Sequence, residues 1–329
     1  MKFLSKRSAA LVLTSMMLML TACSSSNTTD AQTAQEGYPV TVENCGTNVT
    51  FDSPPERLLL LKSASVPALK SLDVLNRVVA RGGAFPNEYY DSQTQEQLDK
   101  IPELSDELDA SGHLQISKEV VLSQQPDLVL GEVDNLDRAT LSDAGISLIE
   151  ENTLCKTGAP EHPSFDDVYS QLSLYGTIFQ KEDKAKEEID KLKKRVNDAE
   201  NKVKNKKTRT AAVLYPTVGG GTTYAYGTKS MAEPQLEAAG FKNVFDDVDQ
   251  RVFEITPEEL VKRNPDVLIM LHSEGDPQKV KEAVTSLPGA DSLTALKNGD
   301  TMVQLMNFTE PATPLTVDGL ENIIDRFYK

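Results

Sequence analysis

Residues 116–130 read I-S-K-E-V-V-L-S-Q-Q-P-D-L-V-L, and residues 255–269 read I-T-P-E-E-L-V-K-R-N-P-D-V-L-I. At a constant offset of 139, Ile, Ser/Thr, Glu, Pro and Asp coincide. Both copies obey the same physics. Ser117 or Thr256 can cap a helix start, with Pro257 suited to a first turn, and Pro126 or Pro265 stops the helix before an apolar run. An apolar run of this kind suits a strand buried on both faces of a parallel sheet.

Working outward, the same alternation recurs. Arg57–Leu61 and Thr210–Tyr215 read as equivalent strands, each followed by a loop and a helix. Val66–Leu72 and Lys118–Gln124 read as helices, and Val78–Ala80, Leu128–Leu130 and Ile146–Ile149 as strands. Pro39–Asn44 and Asn48–Phe51 suggest a hairpin around Cys45. Alternating strand and helix predicts an α/β fold of two similar lobes with parallel-type central sheets, residues 38–163 and 208–329. Residues 164–207 lie between them. Phe165–Phe179 is amphipathic, and Ala185, Ile189, Leu192, Val196, Ala199 and Val203 form an apolar seam on a charged helix. Such a seam suits a coiled-coil dimer or a spine packed on both lobes; fewer than three heptads with two alanines favour the spine, and hence a monomer.

The N-terminus sets the compartment. Lys2, Lys6 and Arg7 precede the apolar Ala9–Leu20, and Leu20-Thr21-Ala22-Cys23 reads as a lipobox. Residues 1–22 are therefore expected to be a lipoprotein signal peptide, Cys23 the acylated (palmitate-bearing) mature N-terminus, and residues 23–37 a Ser/Thr-rich tether. The expected place is the outer face of the cytoplasmic membrane, held by lipid alone. Cys45 and Cys155 remain, and an exported protein with an even pair suggests a disulfide, the alternative being two unrelated thiols.

Composition excludes several classes. The 329 residues carry 34 Lys+Arg against 50 Asp+Glu, a formal charge of −16, so a nucleic-acid partner is not expected. Gly219-Gly220-Gly221 lacks the Gly-Lys-Ser/Thr of a phosphate-binding loop, and no Gly-x-Ser-x-Gly occurs, which argues against an extracellular hydrolase. Three histidines, His113, His162 and His272, make a free-metal receptor a distant alternative. No catalytic residue, resident metal or cofactor is expected.

In open α/β sheets ligands gather at the carboxyl ends of strands. That rule selects Lys62 and Ser63, then Gly82–Phe85, then Gly131–Asp134 in the first lobe. In the second it selects Tyr215 through Tyr226, His272–Glu274, and Asn307-Phe308. Tyr215, Tyr224 and Tyr226 would offer apolar area, cation–π attraction and phenolic hydrogen bonds.

Taken together, Y-P-V-T-V-E-N-C-G at 38–46, P-P-E-R-L-L-L-L at 54–61, P-D-L-V-L-G at 126–131, G-F-K-N-V-F at 240–245 and L-K-N-G-D-T-M-V at 296–303 resemble a known family. It is that of the helical-backbone substrate-binding proteins of ABC importers, nearest the ferric-siderophore, heme and cobalamin binders. The resemblance covers residues 38–329. It implies two lobes joined by one long spine helix, a ligand cleft between them, and capture of an iron chelate, a ferric siderophore first and heme or cobalamin second, for delivery to a permease pair. It also implies that Glu119 and Glu258, at matching places in the repeat, dock the lobes onto that pair. The sequence departs from an evident arginine clamp: Arg81 and Arg251 are the candidates, with Lys62 and Lys229 secondary. A heme pair would need one of the scattered histidines with Tyr224 or Tyr226.

Overall fold

In the computed structural model, which describes residues 36–109, 113–134 and 136–328, the repeated segment forms the same unit twice. The Ser117 hydroxyl accepts from the Val120 amide, and the Thr256 hydroxyl from the Glu259 amide, opening the helices α3 (Lys118–Ser123) and α8 (Pro257–Arg263). The aspartates after the prolines have a second role. Asp127 accepts from the Glu56 and Arg57 amides at 2.7 and 3.0 Å, just ahead of β3 (Leu58–Leu60). Asp266 accepts from the Thr210 amide at 2.9 Å and its hydroxyl at 3.1 Å, within β7 (Arg209–Pro216). Each carboxylate thus pins the strand that follows it, β5 (Leu128–Leu130) or β11 (Val267–His272), beside the first strand of its own lobe.

The first lobe opens with the antiparallel hairpin β1 (Val40–Asn44) and β2 (Thr47–Phe51). Its main sheet has the order β4-β3-β5-β6, all parallel, with β4 at Val78–Arg81 and β6 at Ser147–Ile149. Helices α1 (Val66–Ser71), α2 (Ser92–Leu98), α3 and α4 (Arg138–Ser142) connect these strands. The second lobe departs from the symmetry read in the sequence. β7 turns back through a tight loop into β8 (Thr223–Tyr226), antiparallel to it, and β10 (Val252–Ile255) pairs antiparallel to β8. Its sheet is mixed, in the order β10-β8-β7-β11-β12, with β9 (Phe241–Asn243) beside the first half of β7 and β12 at Thr301–Leu305. The three glycines are the hairpin turn, at φ 95°, 95° and 135°, a left-handed run that only glycine tolerates cheaply. Helices α7 (Ala232–Ala238), α8, α9 (Pro277–Thr285), α10 (Thr294–Asn298) and α11 (Pro314–Phe327) complete it.

Between the lobes run α5 (Phe165–Phe179) and α6 (Glu182–Val203). At 22 residues α6 spans roughly 33 Å. Every residue of its apolar seam is buried inside this chain, which leaves no stripe for a coiled-coil partner. Arg195 forks onto Asp318 and Glu321 of α11 at 2.6 to 2.9 Å. One face of each sheet joins the spine in a shared core: Leu58, Leu60, Leu192, Val213, Ile269 and Ile323 belong to it. The opposite faces have cores of their own, around Leu59 and Val129 in one lobe and Leu268 and Met270 in the other. Cys45 and Cys155 form a disulfide linking the β1–β2 turn to the segment after β6. Closing a loop of 110 residues is worth about 4 to 5 kcal/mol in the chain-entropy model. Among the described residues no helix is long and apolar enough to cross a membrane. The expected signal peptide, Cys23 and most of the expected tether lie outside the described residues.

Candidate functional site

Both sheets send the carboxyl ends of their parallel strands to the junction between the lobes, and the junction is stitched by hydrogen bonds. Asn307, after β12, donates its side-chain amide to the Ser63 hydroxyl at 3.0 Å and its backbone amide to the Tyr89 oxygen at 2.9 Å. The Ala312 amide donates to the Thr153 hydroxyl at 3.0 Å, and Lys229 pairs with Glu161 at 2.7 Å. The Tyr89 ring meets Phe308 edge to face at 5.1 Å, and the Tyr90 hydroxyl reaches the Ser63 carbonyl. The loop carrying Asn307 sits so close to α11 that a Cβ on Gly319 would lie 1.7 Å from the Phe308 carbonyl oxygen. Only glycine permits that approach.

Beside this seam a cavity of about 630 Å³ opens between the lobes, of the size that holds a small organic ligand. The first lobe contributes Arg81, Phe85 and Glu88 to its wall; the second contributes His272, Met302 and Phe308. The Arg81 guanidinium lies over the Phe85 ring at 5.0 Å and pairs with Glu103 at 2.5 Å. Its Nε is buried with no hydrogen-bond partner. The His272 Nδ1 lies 2.9 Å from the Glu274 carbonyl. A carbonyl only accepts, so Nδ1 is the donor in this contact and Nε2 is left for another partner.

The sequence-selected residues thus divide. Arg81, Phe85 and His272 share the cavity. Ser63 and Asn307 are bonded to each other beside it. Lys62 is taken up by Glu150 at 2.6 Å, and Arg251 by the buried Glu310, whose charge raises the guanidinium pKa further. Tyr215 bonds Ser273 at 3.0 Å and faces Tyr224 across the hairpin. Tyr226 is buried in the shared core, where burial pushes its phenol far up. None of Tyr215, Tyr224 and Tyr226 is among the residues that line the cavity. His113 and His162 are exposed elsewhere, and among the described residues no cluster of three or more His, Cys, Asp or Glu could hold a metal. Glu119 and Glu258 are exposed in the first turns of α3 and α8, where the helix dipole also favours them.

Sequence reasoning missed Tyr89, Met302, Gln304 and Glu310. It looked only at strand ends, whereas β12 is an edge strand whose length forms part of the wall. The T-E-P step at 309–311 was the available signal for Glu310.

Two lobes meeting over a cavity at the ends of their strands define a solute-binding protein. Residues 60–303 match the family described as Periplasmic binding protein, and the chain belongs to it. An uncharacterized ABC transporter substrate-binding lipoprotein of Bacillus subtilis, YvrC, is 24% identical over 97% of this chain and 96% of its own. A crystal structure titled ABC-type Fe3+-hydroxamate transport system, from Saccharomonospora viridis, is 55% identical, covers 89% of this chain and 100% of its own, and has a TM-score of 0.85. The vitamin B12 binding protein BtuF of Vibrio cholerae shares the fold at 15% identity and TM-score 0.59, over 83% of this chain and 96% of its own. The chain is therefore the substrate-binding component of an ABC transporter, with a permease partner and a small-molecule ligand, and not an enzyme.

Glu151 lies at the same junction and gives a test of its electrostatics. Its Oε1 accepts from the Tyr175 hydroxyl at 2.8 Å, while the buried Oε2 has no partner. Burial raises its pKa to about 8, against the downward pull of that hydrogen bond and of Lys62. The folded state then holds a proton that the unfolded chain releases between about pH 4.5 and 8. This contribution is fully present below that window and is lost as pH rises through it. Relative to Glu151→Gln, which cannot ionise, the wild type should lose about 1.4 kcal/mol per pH unit across the window. Denaturant melts of both proteins at pH 5 to 8.5 measure this, and a difference independent of pH would refute the burial assignment.

Proposed function

We propose that this protein captures a ferric hydroxamate siderophore in the cavity between its lobes and delivers it to a permease pair. The observation that carries the reading is the 55% identity, along 89% of the chain, to the Saccharomonospora protein whose title names Fe3+-hydroxamate transport. The cavity chemistry is compatible. A hydroxamate chelate presents acceptor oxygens around iron on an apolar scaffold, and the wall offers the unpartnered Arg81 Nε beside Phe85, Met302 and Phe308. Ser63, Asn307, Tyr215 and Tyr224 belong to the proposed mouth, and Lys62, Tyr226 and Arg251 support it from behind. Mass spectrometry of co-purified ligand, with thermal shifts for ferrioxamine, ferrichrome, citrate, catecholate, heme and cobalamin, tests the assignment. A trihydroxamate at a hundred times its Kd should add about 2.7 kcal/mol of stability. A shift with heme or cobalamin and none with any hydroxamate would overturn it.

The compartment follows from the lipobox and accords with the lipoprotein name of the Bacillus relative. Mature protein should begin at an acylated Cys23, displayed outside the cytoplasmic membrane; an intact mass that retains Met1 would exclude this. Glu119 and Glu258 are proposed to orient the two lobes on the permease, as exposed charges at a rim chiefly steer and align. In Glu119→Ala plus Glu258→Ala, chelate affinity should stay within about twofold while uptake falls by about tenfold or more. Normal uptake would leave only helix capping.

A further inference from the structure

The cavity wall carries more charge of one sign than capture of an iron chelate requires. Glu88, Asp99 and Asp106 from the first lobe and Glu274 from the second all line it. None of the four takes part in an ion pair among the described residues. The cavity's one guanidinium, Arg81, is already matched by Glu103, and no lysine lines it. The wall also holds one buried donor without a partner, the Arg81 Nε, and one such acceptor. Gln304 is 6% exposed and forms part of the wall. Its Nε2 donates to the Thr309 hydroxyl at 2.9 Å, while its buried Oε1 accepts from nothing. The two orphans balance in sign, so the four unpaired carboxylates decide it: they ask for a ligand that brings N–H donors and positive charge.

We propose that the cavity selects ferric trihydroxamates with net positive charge, such as a linear chelate ending in an ammonium group, over neutral and anionic iron chelates. The inference rests on the hydroxamate reading and specifies its ligand. An ammonium set among these side chains replaces lost water by charge-assisted hydrogen bonds. An anionic catecholate or citrate complex would meet like charge and would have to take Arg81 from Glu103. All four carboxylates are solvent-exposed, so their attraction is partly screened and should respond to salt. That makes the expected preference about tenfold at low salt rather than several orders of magnitude.

The test compares ferrioxamine B, which ends in an ammonium, with its N-acetyl derivative, which has the same iron centre and no tail charge. Calorimetric titration of the mature protein at low and high salt gives both affinities. The cationic chelate should bind about tenfold tighter at low salt, and the gap should close at high salt and in Asp106→Asn plus Glu274→Gln. Equal affinities at low salt, or tighter binding of the acetylated form, would overturn charge selection while leaving the hydroxamate reading intact. A gap unmoved by both salt and the double substitution would overturn the assignment to these carboxylates. If neither chelate binds and ferric citrate, a catecholate or heme does, the hydroxamate reading fails and this inference with it.

Discussion

Two carboxylates, Asp127 and Asp266, set the register on which the rest of this molecule depends. Each accepts from backbone amides at β3 or β7, and each immediately precedes the strand, β5 or β11, that pairs parallel beside it. These amides are exposed or half-buried, so each bond contributes about 1 kcal/mol, and together they oppose slippage at the root of both sheets. With those roots fixed, the far ends are fixed too. Leu60 pairs with Leu130 in one lobe and Leu214 with Met270 in the other, and the loops after them project to a common junction. The duplicated Pro-Asp step is therefore more than a helix stop. It decides where binding loops emerge.

The spine converts two such sheets into one body. Its buried seam contributes to a core that continues through the inner faces of both sheets, and Arg195 ties it to α11. α11 in turn presses through Gly319 against the loop that carries Asn307 and Phe308. Position is thereby transmitted from an apolar stripe on a charged helix to side chains at the cavity mouth. Interiors packed at this density do not deform continuously, so the mouth is placed by the core and not by the loop's own preferences.

Much of this architecture was legible before the fold. Continuous apolar runs such as Leu58–Leu61 and Val267–Leu271 are what strands covered on both faces require, and those residues are all buried. The 4-3-4-3-4 spacing from Ala185 to Val203 named every buried position of α6. The mixed sheet was not legible. T-T-Y-A-Y at 222–226 carries no sign of strand direction, and whether a strand returns through a glycine turn or crosses over through a helix depends on the tertiary partner, here β10. The site was the least legible. Burial decides whether a tyrosine after a strand lines a cavity or fills a core, and Tyr226 and Tyr224 sit on one face of one strand with different burial.

The same distinction explains why a search for an arginine clamp finds none. Lys62, Arg81 and Arg251 all stand at the junction, in the places where a clamp would be sought, yet each is matched by a carboxylate of the protein itself: Glu150, Glu103 and Glu310. Two of those carboxylates are buried, and removing their cation would leave a buried charge held by backbone amides alone, a net destabilisation. Each of these cations is thus committed to a carboxylate of its own lobe. What remains uncommitted at the junction is negative charge, one Arg81 N–H, an orphaned amide oxygen and aromatic area. Residue identity alone records three cations near a cleft; their pairing shows that each already has a carboxylate of the protein as its partner.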